Sequence, residues 1–367
     1  MTYNMIKNVL FLIPLSGNGG IASWAKKVMN SFFNKEFKCQ SINISPTRSI
    51  NAGYIERIFS GLKALFFIMN TIHKKTKEQH FDIMHITTSG NMGTLRDYVV
   101  AKYCKKQKIK TIMHCHYGCV SSDIKYRGLL SLLLRKTMRL YDQIWVLDTK
   151  SYNALNKFNY LRGKVFLTPN SIEIINPIDL TPKTYHHVAF IGNLIPSKGI
   201  FELVKAVILL EKYGVKLDIV GPGNNKIIEQ LKIISGNKWG HTIKYHGLLP
   251  NIEAIKFMKS VDIIALPTYF PSEAFPISIL EAMSLTKLVI STKRAAIPDI
   301  LTSSDGTYCG ILINEKSINE IVNAIIYCIE NSIEADILSQ KAYKKAFSTY
   351  RNETVYEIYR NNYRKLL

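Results

Sequence analysis

Residues 188 to 210 read VAFIGNLIPSKGIFELVKAVILL, which is an apolar run, a turn with two glycines and a second apolar stretch. The run from Val188 to Gly192 is typical of a buried strand, and Ile200 to Leu210 has the apolar spacing of a helix. A strand that feeds directly into a helix is the repeating unit of a parallel sheet with crossover helices. This stretch therefore predicts an α/β fold.

The same alternation recurs along the chain and predicts two doubly wound, Rossmann-like domains. The polar sequence NPIDLTPK at 176–183 contains two prolines, as expected of a linker. We expect an N-terminal domain at 1–178 and a C-terminal domain from 183 to 346, facing each other across a ligand cleft. The strands are predicted near 9–14, 39–44, 81–87, 111–116, 143–147, 165–168, 188–192, 216–220, 243–245, 263–266, 288–291 and 310–313.

The composition is that of a globular protein of two ordinary domains, because the chain has 367 residues, of which 47% are apolar and 20% charged. Disordered and collagen-like classes are excluded. Six scattered cysteines and the lack of a secretory signal pattern favour a reducing, cytoplasmic location. No apolar stretch approaches the ~20 residues that span a bilayer.

The positive charge is concentrated in the first half of the chain. The formal net charge is +21, and residues 1–180 contain 26 Lys and Arg against 10 Asp and Glu. Such a field attracts nucleic acid, anionic lipid or phosphorylated substrates. The stretches 54–77 and 126–141 mix apolar residues with cations, which favours an anionic membrane surface over helices that pack on the core with their cations in solvent. The cations of the second stretch are Arg127, Arg135, Lys136 and Arg139.

Two glycine-containing turns follow predicted strands. In the turn from Gly192 to Gly199, Lys198 lies beside the free N–H groups of a helix start, where a diphosphate could bind. The turn PLSGNGG at 14–20 could bring backbone N–H groups close to an anion, although a plain turn is an equal alternative. Its spacing is neither that of a dinucleotide fingerprint nor that of a phosphate-binding P-loop.

The most informative stretch is PTYFPSEAFPISILEAM at 267–283. Pro276 is predicted as the first helical residue, which leaves the N–H groups of Ile277 and Ser278 available for phosphate oxygens. Glu273 precedes the helix and Glu281 lies inside it, in an otherwise apolar run. Two hydrogen-bond acceptors that flank a helix-bound diphosphate suit a nucleotide sugar, which carries hydroxyls at both ends.

His114 and His116 end the fourth predicted strand and share one face of it. We expect His116 to reach the ligand cleft and His114 to be buried. Cys115 and Cys119 are nearby, but no second ligand pair has the spacing of a zinc site. The chain contains no Asp-x-Asp sequence, so we expect no bound metal, and cation and helix must neutralise the diphosphate instead.

With these motifs the chain resembles the retaining glycosyltransferases of family four, which have the GT-B fold of two Rossmann-like domains. The resemblance covers nearly the whole chain. It rests on the Glu-x7-Glu motif at Glu273 and Glu281, the Gly-x-Leu-x3-Lys-Gly motif from Gly192 to Gly199, the Gly19-Gly20 loop and the strand-end His116.

The resemblance implies that Glu273 contacts the donor sugar, Glu281 the ribose, Lys198 the diphosphate and His116 the sugar near the reacting centre. It also implies a last helix, 347–367, that packs back on the N-terminal domain. The further donor-binding positions that we expect are Gly19, Gly20, Asn193, Gly221, Gly247, Leu248, Phe275, Pro276, Ile277 and Ser278. Two departures are Asn193, where many members have Arg, and Ala295, where the family often has Gly.

The sequence thus predicts transfer of a sugar, with retention of configuration, from a nucleotide sugar to a hydroxyl of a lipid-linked or surface glycan. The donor is expected to be a uridine diphosphate sugar, and the acceptor a growing capsule or O-antigen glycan at the inner face of the cell membrane. A sugar-nucleotide epimerase of similar fold is an alternative. A nucleic-acid-binding protein that uses the basic half is a second, although no stacking motif or single basic recognition helix supports it.

Overall fold

The computed structural model describes residues 7–16, 20–29, 36–45, 53–91, 93–174 and 177–367. The chain forms two compact units. The first comprises residues up to Asn170 together with Tyr356–Leu367, and the second comprises Ser171–Val355. The first unit therefore ends eight residues before the predicted boundary at 178, and the return to it begins nine residues after 347.

The first unit contains a six-stranded sheet in which every neighbouring pair is parallel. The strand order is β2-β1-β3-β4-β5-β6. The strands are β1 (Lys7–Ile13), β2 (Phe37–Asn43), β3 (Ile83–Thr88), β4 (Lys110–Cys115), β5 (Gln143–Val146) and β6 (Val165–Leu167).

Helices cover both faces of this sheet. They are α1 (Gly20–Met29), α2 (Tyr54–Glu78), α3 (Gly93–Lys106), α4 (Val120–Asp123), α5 (Leu129–Leu140), α6 (Thr149–Asn156) and α14 (Asn352–Arg364), the last of which begins in the second unit. Residues of α2, α3, α5 and α6 share one apolar core with the sheet. Aromatic residues of α1 and α14 pack on the opposite face.

The second unit repeats this plan with a parallel sheet in the order β12-β11-β10-β7-β8-β9. Its strands are β7 (His187–Ile191), β8 (Lys216–Val220), β9 (Ile243–Gly247), β10 (Ile263–Leu266), β11 (Leu288–Thr292) and β12 (Ile311–Ile313). Its helices are α7 (Ile200–Leu209), α8 (Asn225–Ser235), α9 (Asn251–Lys259), α10 (Ile277–Ser284), α11 (Ile297–Ile300), α12 (Ile318–Glu330) and α13 (Ser332–Lys345).

The predicted α/β class with two doubly wound sheets is confirmed, and each predicted strand lies within two residues of an observed one. The central strands can be recognised in the sequence because both of their faces are covered by helices. Strands buried on both sides are continuous apolar runs, as in Ile263–Leu266, where all four residues are buried.

Helix α14 contributes residues to the core of the first unit. Tyr359 of α14 accepts a hydrogen bond from the Trp24 indole at 3.1 Å and donates one to the Pro169 carbonyl. The Tyr363 hydroxyl lies 2.5 Å from Nδ1 of His85. Both tyrosines are fully buried, so the first unit contains core residues from the end of the chain.

The second sheet has its topological switch point between β10 and β7. The chain leaves β7 toward β8 and β9 on one side and then returns to β10 on the other. Ligands of doubly wound sheets bind beyond the carboxyl ends of the strands at this point, because the loops of the two central strands diverge there. The loops that follow β7 and β10 are therefore the expected ligand loops.

Gly199 brings these two loops into contact. Its φ is +80°, and a Cβ built on it would lie 2.1 Å from the Pro267 carbonyl oxygen. Only a residue without a side chain fits at such a distance. Four described non-glycine residues of the second unit also have left-handed backbones, among them Thr286 with φ 54° and Ala295 with φ 46°.

We predict that Gly199→Ala destabilises the second unit far more than Gly214→Ala. Gly214 has a similar φ of +68°, but a Cβ there meets nothing within 4 Å. At Gly214, alanine then costs only the energy of the left-handed backbone, about 1–2 kcal/mol of unfolding free energy. This should lower the melting temperature by roughly 2–8 °C. At Gly199 the added clash should lower the melting temperature by roughly 10 °C or more. Equal shifts in calorimetry would show that the two loops are not held by this contact.

Candidate functional site

The turn after β7 positions Lys198. Residues Pro196–Lys198 form one 3₁₀ turn, and the Tyr269 N–H donates to the Ser197 carbonyl at 2.7 Å. This backbone bond and the contact of Gly199 with Pro267 hold the turn against the loop after β10. The ammonium group of Lys198 is thereby directed at that loop.

Lys198 and Glu273 form a buried ion pair. The Lys198 Nζ lies 2.5 Å from Oε2 of Glu273, and only 16% and 7% of the two side chains are exposed. The hydroxyl of the fully buried Thr268 donates to the same carboxylate oxygen at 2.9 Å. The Coulomb attraction is strengthened because both side chains are largely withdrawn from solvent. The two residues that the sequence singled out separately thus share one site.

Helix α10 begins beside this pair. Pro276 is its N-cap, with φ −64° and ψ 115°, and is not the first helical residue as predicted, because its ψ is extended. No side chain caps this end of the helix. The first N–H groups, those of Ile277 and Ser278, therefore carry the partial positive charge of a helix start, which favours an anion.

Glu281 lies one turn further along α10 and is 9% exposed. The side-chain amide of Asn251, the first residue of α9, donates to its Oε1 at 3.3 Å. A carboxylate inside an apolar helix face is costly unless polar partners satisfy it. Asn251 is such a partner, and it ties the start of α9 to α10.

The turns after β8 and β9 border the same end of the sheet. A Cβ on Gly221 would lie 2.0 Å from the Gly192 carbonyl oxygen, so the turns after β7 and β8 touch. The Gly221 N–H donates to the Gly247 carbonyl at 2.8 Å. Leu248 is 55% exposed, and Asn193 is also exposed. A ligand can reach both.

Phe275 has a different position from the other predicted donor-site residues. Its side chain is buried, and its ring packs edge-on against Tyr350 with ring centroids 5.6 Å apart. The side chain therefore serves the core of the second unit and fixes the loop that precedes α10.

The remaining predicted residues belong to the first unit. Gly19 lies outside the described residues, and Gly20 is the first residue of α1. His116 follows β4 and is 6% exposed. Its ring centroid lies 4.6 Å from that of Trp24 and 4.0 Å from that of His114.

Three buried histidines of the first unit, His85, His114 and His116, have lowered pKa values. Burial lowers the pKa of His116 to about 3, and burial also lowers the pKa values of His85 and His114 well below the ordinary 6.5. His114 is fully buried, as predicted, and its Nδ1 lies 3.2 Å from Nε2 of His85. At neutral pH, His116 can therefore exchange hydrogen bonds but carries no charge.

Sequence reasoning missed Thr268 and Asn251, which orient the two glutamates. Both directly follow signals that the sequence does contain. Thr268 is the second residue after β10, and Asn251 follows the loop after β9. A polar residue after a predicted strand does not by itself identify such a partner, because the contact with the glutamate is tertiary.

The second unit thus combines an ammonium group, an uncapped helix start and two carboxylates at one end of its sheet. The cation and the helix start suit a phosphate or diphosphate. The carboxylates accept hydrogen bonds from hydroxyls. This is the chemistry of a site for a phosphorylated, polyhydroxylated ligand.

Comparison with known proteins agrees with this geometry. Residues 171–345 match the family described as Glycosyl transferases group 1, so the second unit is a domain of that type. An uncharacterized glycosyltransferase of Methanocaldococcus jannaschii is 25% identical over 279 residues, which cover 71% of this chain and 69% of that protein.

Two solved structures show the fold over nearly the full length. Sucrose-phosphate synthase from Thermosynechococcus elongatus has a TM-score of 0.78 at 14% identity, covering 98% of this chain and 99% of that one. Anabaena HepE, in complex with UDP and glucose, has a TM-score of 0.69 at 15% identity, covering 98% and 100%. The chain therefore has the GT-B fold.

We predict that the first unit loses stability as the pH falls from about 6.5 toward 3. The unfolded chain binds protons at the three histidines in this range, whereas the folded state, with its lowered pKa values, does not. Each histidine contributes up to about 1.4 kcal/mol per pH unit. The melting temperature of His116→Asn should therefore depend less steeply on pH than that of the wild type. The exposed His241→Asn is the control, and a wild-type slope in both variants would contradict the assignment.

Proposed function

We propose that this chain is a retaining glycosyltransferase that transfers a sugar from a uridine diphosphate sugar to a lipid-linked glycan. The observation that carries the proposal is the buried pair of Lys198 and Glu273 beside the uncapped start of α10, within a glycosyl transferases group 1 domain. HepE, which shares the fold, was solved with UDP and glucose, and this supports the choice of donor.

Donor binding, as proposed, is an exchange of partners at Lys198. Without donor, the ammonium group is neutralised by Glu273. A bound diphosphate brings two negative charges to the ammonium group and to the N–H groups of Ile277 and Ser278. Glu273 then turns its carboxylate to the hydroxyls of the sugar, while Thr268 holds one of its oxygens in place.

Glu281 is proposed to accept hydrogen bonds from the ribose hydroxyls. Asn251 holds its carboxylate from the side of α9. Gly247, which ends β9, and the exposed Leu248 in the loop that follows are proposed to border the base. The nucleotide is thus read by the turns after β7, β8 and β9 and by α10.

The chemical step is proposed to need no metal ion. As the glycosidic bond breaks, negative charge develops on the leaving diphosphate, and preorganised positive charge stabilises it in a site that excludes water. Lys198 and the start of α10 supply that charge. This is the role that a divalent cation has in other transferases of phosphorylated substrates.

Retention is proposed to occur by attack on the face from which the diphosphate departs, with a leaving phosphate oxygen as base. Glu273 is a poor candidate nucleophile, because in the proposed complex its carboxylate accepts hydrogen bonds from the sugar hydroxyls and from Thr268. His116 is uncharged at neutral pH. It is therefore proposed to contact the sugar by hydrogen bonds and not by an ionic interaction.

The acceptor is proposed to be a growing surface glycan, such as a capsule or O-antigen chain, on a lipid carrier at the inner face of the cell membrane. The basic excess of residues 1–180 supports this, because pyrophosphate carriers lie at an anionic surface. In the described part of the chain, no helix has the length and apolar character needed to cross a bilayer.

We predict that Lys198→Ala weakens UDP binding about tenfold or more, since a charge-assisted bond to phosphate contributes about 1.5–3 kcal/mol. Glu273→Gln should bind UDP at least as tightly as the wild type, because Lys198 is released, but should lose transfer. Titration calorimetry with UDP, in EDTA and without it, measures the UDP affinity of both variants. Release of UDP in the presence of donor and acceptor measures transfer. Lys232→Ala, which removes an exposed pair with Glu229, is the control. Unchanged UDP binding by Lys198→Ala, or binding abolished by EDTA, would refute the donor site.

We also predict that the product keeps the anomeric configuration of the donor. Front-face attack leaves the new bond on the side of the old one. Proton NMR of the first product formed, from whichever UDP-sugar of a panel is turned over, reports the configuration through the anomeric coupling constant. An inverted product would rule out this mechanism while leaving the donor site intact.

A further inference from the structure

The first half of α2 exposes large apolar side chains. Phe59, Leu62, Phe66 and Phe67 are between 51% and 69% exposed. With about 100° of rotation per residue, these four lie on one side of the helix, opposite the buried Ile68. Soluble proteins rarely leave such a patch uncovered unless it binds something.

Large apolar side chains are also exposed at the start of α5 and just before it. Leu129 is 86% exposed and Tyr126 is 72% exposed. Helix α3 lies between α2 and α5, since Tyr103 of α3 hydrogen-bonds Thr76 at 2.6 Å and Tyr141, just after α5, donates to the Asp97 carbonyl.

Helices α2 and α5 follow parallel strands, so both begin at the carboxyl edge of the first sheet. We call the exposed apolar residues of α2 and of the segment that begins α5 the apolar rim, which consists of Phe59, Leu62, Phe66, Phe67, Tyr126 and Leu129.

Positive charge accompanies the apolar rim. Lys63 is exposed on the same side of α2 as Phe59 and Phe66, and Lys74 and Lys77 are exposed further along the helix. The sequence of α2 has acids only near its two ends, at 56 and 78. An apolar strip among cations is the pattern of a helix that lies in the interface of an anionic bilayer.

A second copy of the chain fits this surface less well than a bilayer does. Two rims in contact would bring Lys63 of one copy close to the same residue of the other, in a half-chain with a formal charge of +16. Anionic headgroups instead neutralise these cations while the phenylalanines enter the acyl boundary.

The structure gives the arginines of α5 a different role from the predicted one. Arg135 donates two hydrogen bonds to the Ile124 carbonyl, at 2.9 and 2.7 Å, and lies over the Phe158 ring. Arg139 lies 4.2 Å from the centroid of Tyr160. These two cations tie α5 to neighbouring segments, so they are not the main membrane contact.

We propose that the apolar rim is a docking surface for an anionic lipid bilayer, with the side chains of α2 inserted below the headgroups. The inference rests on the proposed function for the lipid-linked acceptor, whose carrier the docked enzyme would meet. The docking itself depends only on the exposed aromatic residues and the cations among them.

The test is flotation of the full chain with vesicles of phosphatidylcholine and phosphatidylglycerol, compared with phosphatidylcholine alone. The wild type should partition to the anionic vesicles, and less so at high salt. Phe59→Ser with Phe66→Ser should lower the partition coefficient about tenfold or more, because two large apolar side chains no longer insert. The matched control is Ile233→Ser with Ile333→Ser, which removes two equally exposed side chains from the second unit.

UDP titration of the same variants separates this proposal from the proposed function. The docking proposal is refuted, and the proposed function is not, if the Phe59 and Phe66 variant binds both UDP and vesicles like the wild type. It also fails if light scattering shows a wild-type dimer that this variant dissociates, since the rim would then bind a second copy. Loss of UDP binding by Lys198→Ala, with vesicle binding retained, supports both proposals. A wild type that binds vesicles but not UDP would refute only the proposed function.

Discussion

The contact between Gly199 and the Pro267 carbonyl is the constraint on which the candidate site depends. Two loops that leave the sheet at its switch point can approach so closely only because one of them lacks a side chain there. Lys198 and Glu273, which are 75 residues apart in sequence, meet as a consequence. The parallel sheet places both loops at the same edge, and Gly199 allows them to come into contact.

The positive charge of Lys198 and the negative charge of Glu273 therefore neutralise each other within the second unit. The Lys198 ammonium group and the Glu273 carboxylate offset each other's cost of burial, and Thr268 satisfies a further lone pair. In the proposed donor complex, the diphosphate takes the place of the carboxylate at Lys198, and sugar hydroxyls take the place of Lys198 at Glu273. The buried histidines His114 and His116 of the first unit differ from this ion pair. Among the described residues they have no carboxylate partner, and burial lowers their pKa values.

Much of this arrangement could be predicted from the sequence, for a physical reason. Central strands that are covered on both faces, such as Ile263–Leu266, are apolar throughout and were recognisable for that reason. An acid within an apolar helix, Glu281, also stands out. Partners that act through tertiary contact leave no local pattern. Thr268 and Asn251 are ordinary polar residues until the loops converge, and Pro276 caps α10 because of its backbone angle. The sequence also suggested a membrane role for Arg135, whereas in the fold its guanidinium binds a backbone carbonyl. The exposed phenylalanines of α2 could be recognised only once the packed side of that helix was known.

The two tyrosines that α14 contributes to the first unit also constrain the order of events during synthesis. Domains generally fold as units while the nascent chain emerges. The second unit is contiguous, but the first lacks Tyr359 and Tyr363 until the second has been synthesised. The face of its sheet around Trp145 and His85 stays uncovered until then. A ribosome-bound intermediate should therefore be a client for chaperones that recognise aromatic surfaces, and removal of Tyr356–Leu367 would impair the part of the protein that was made first.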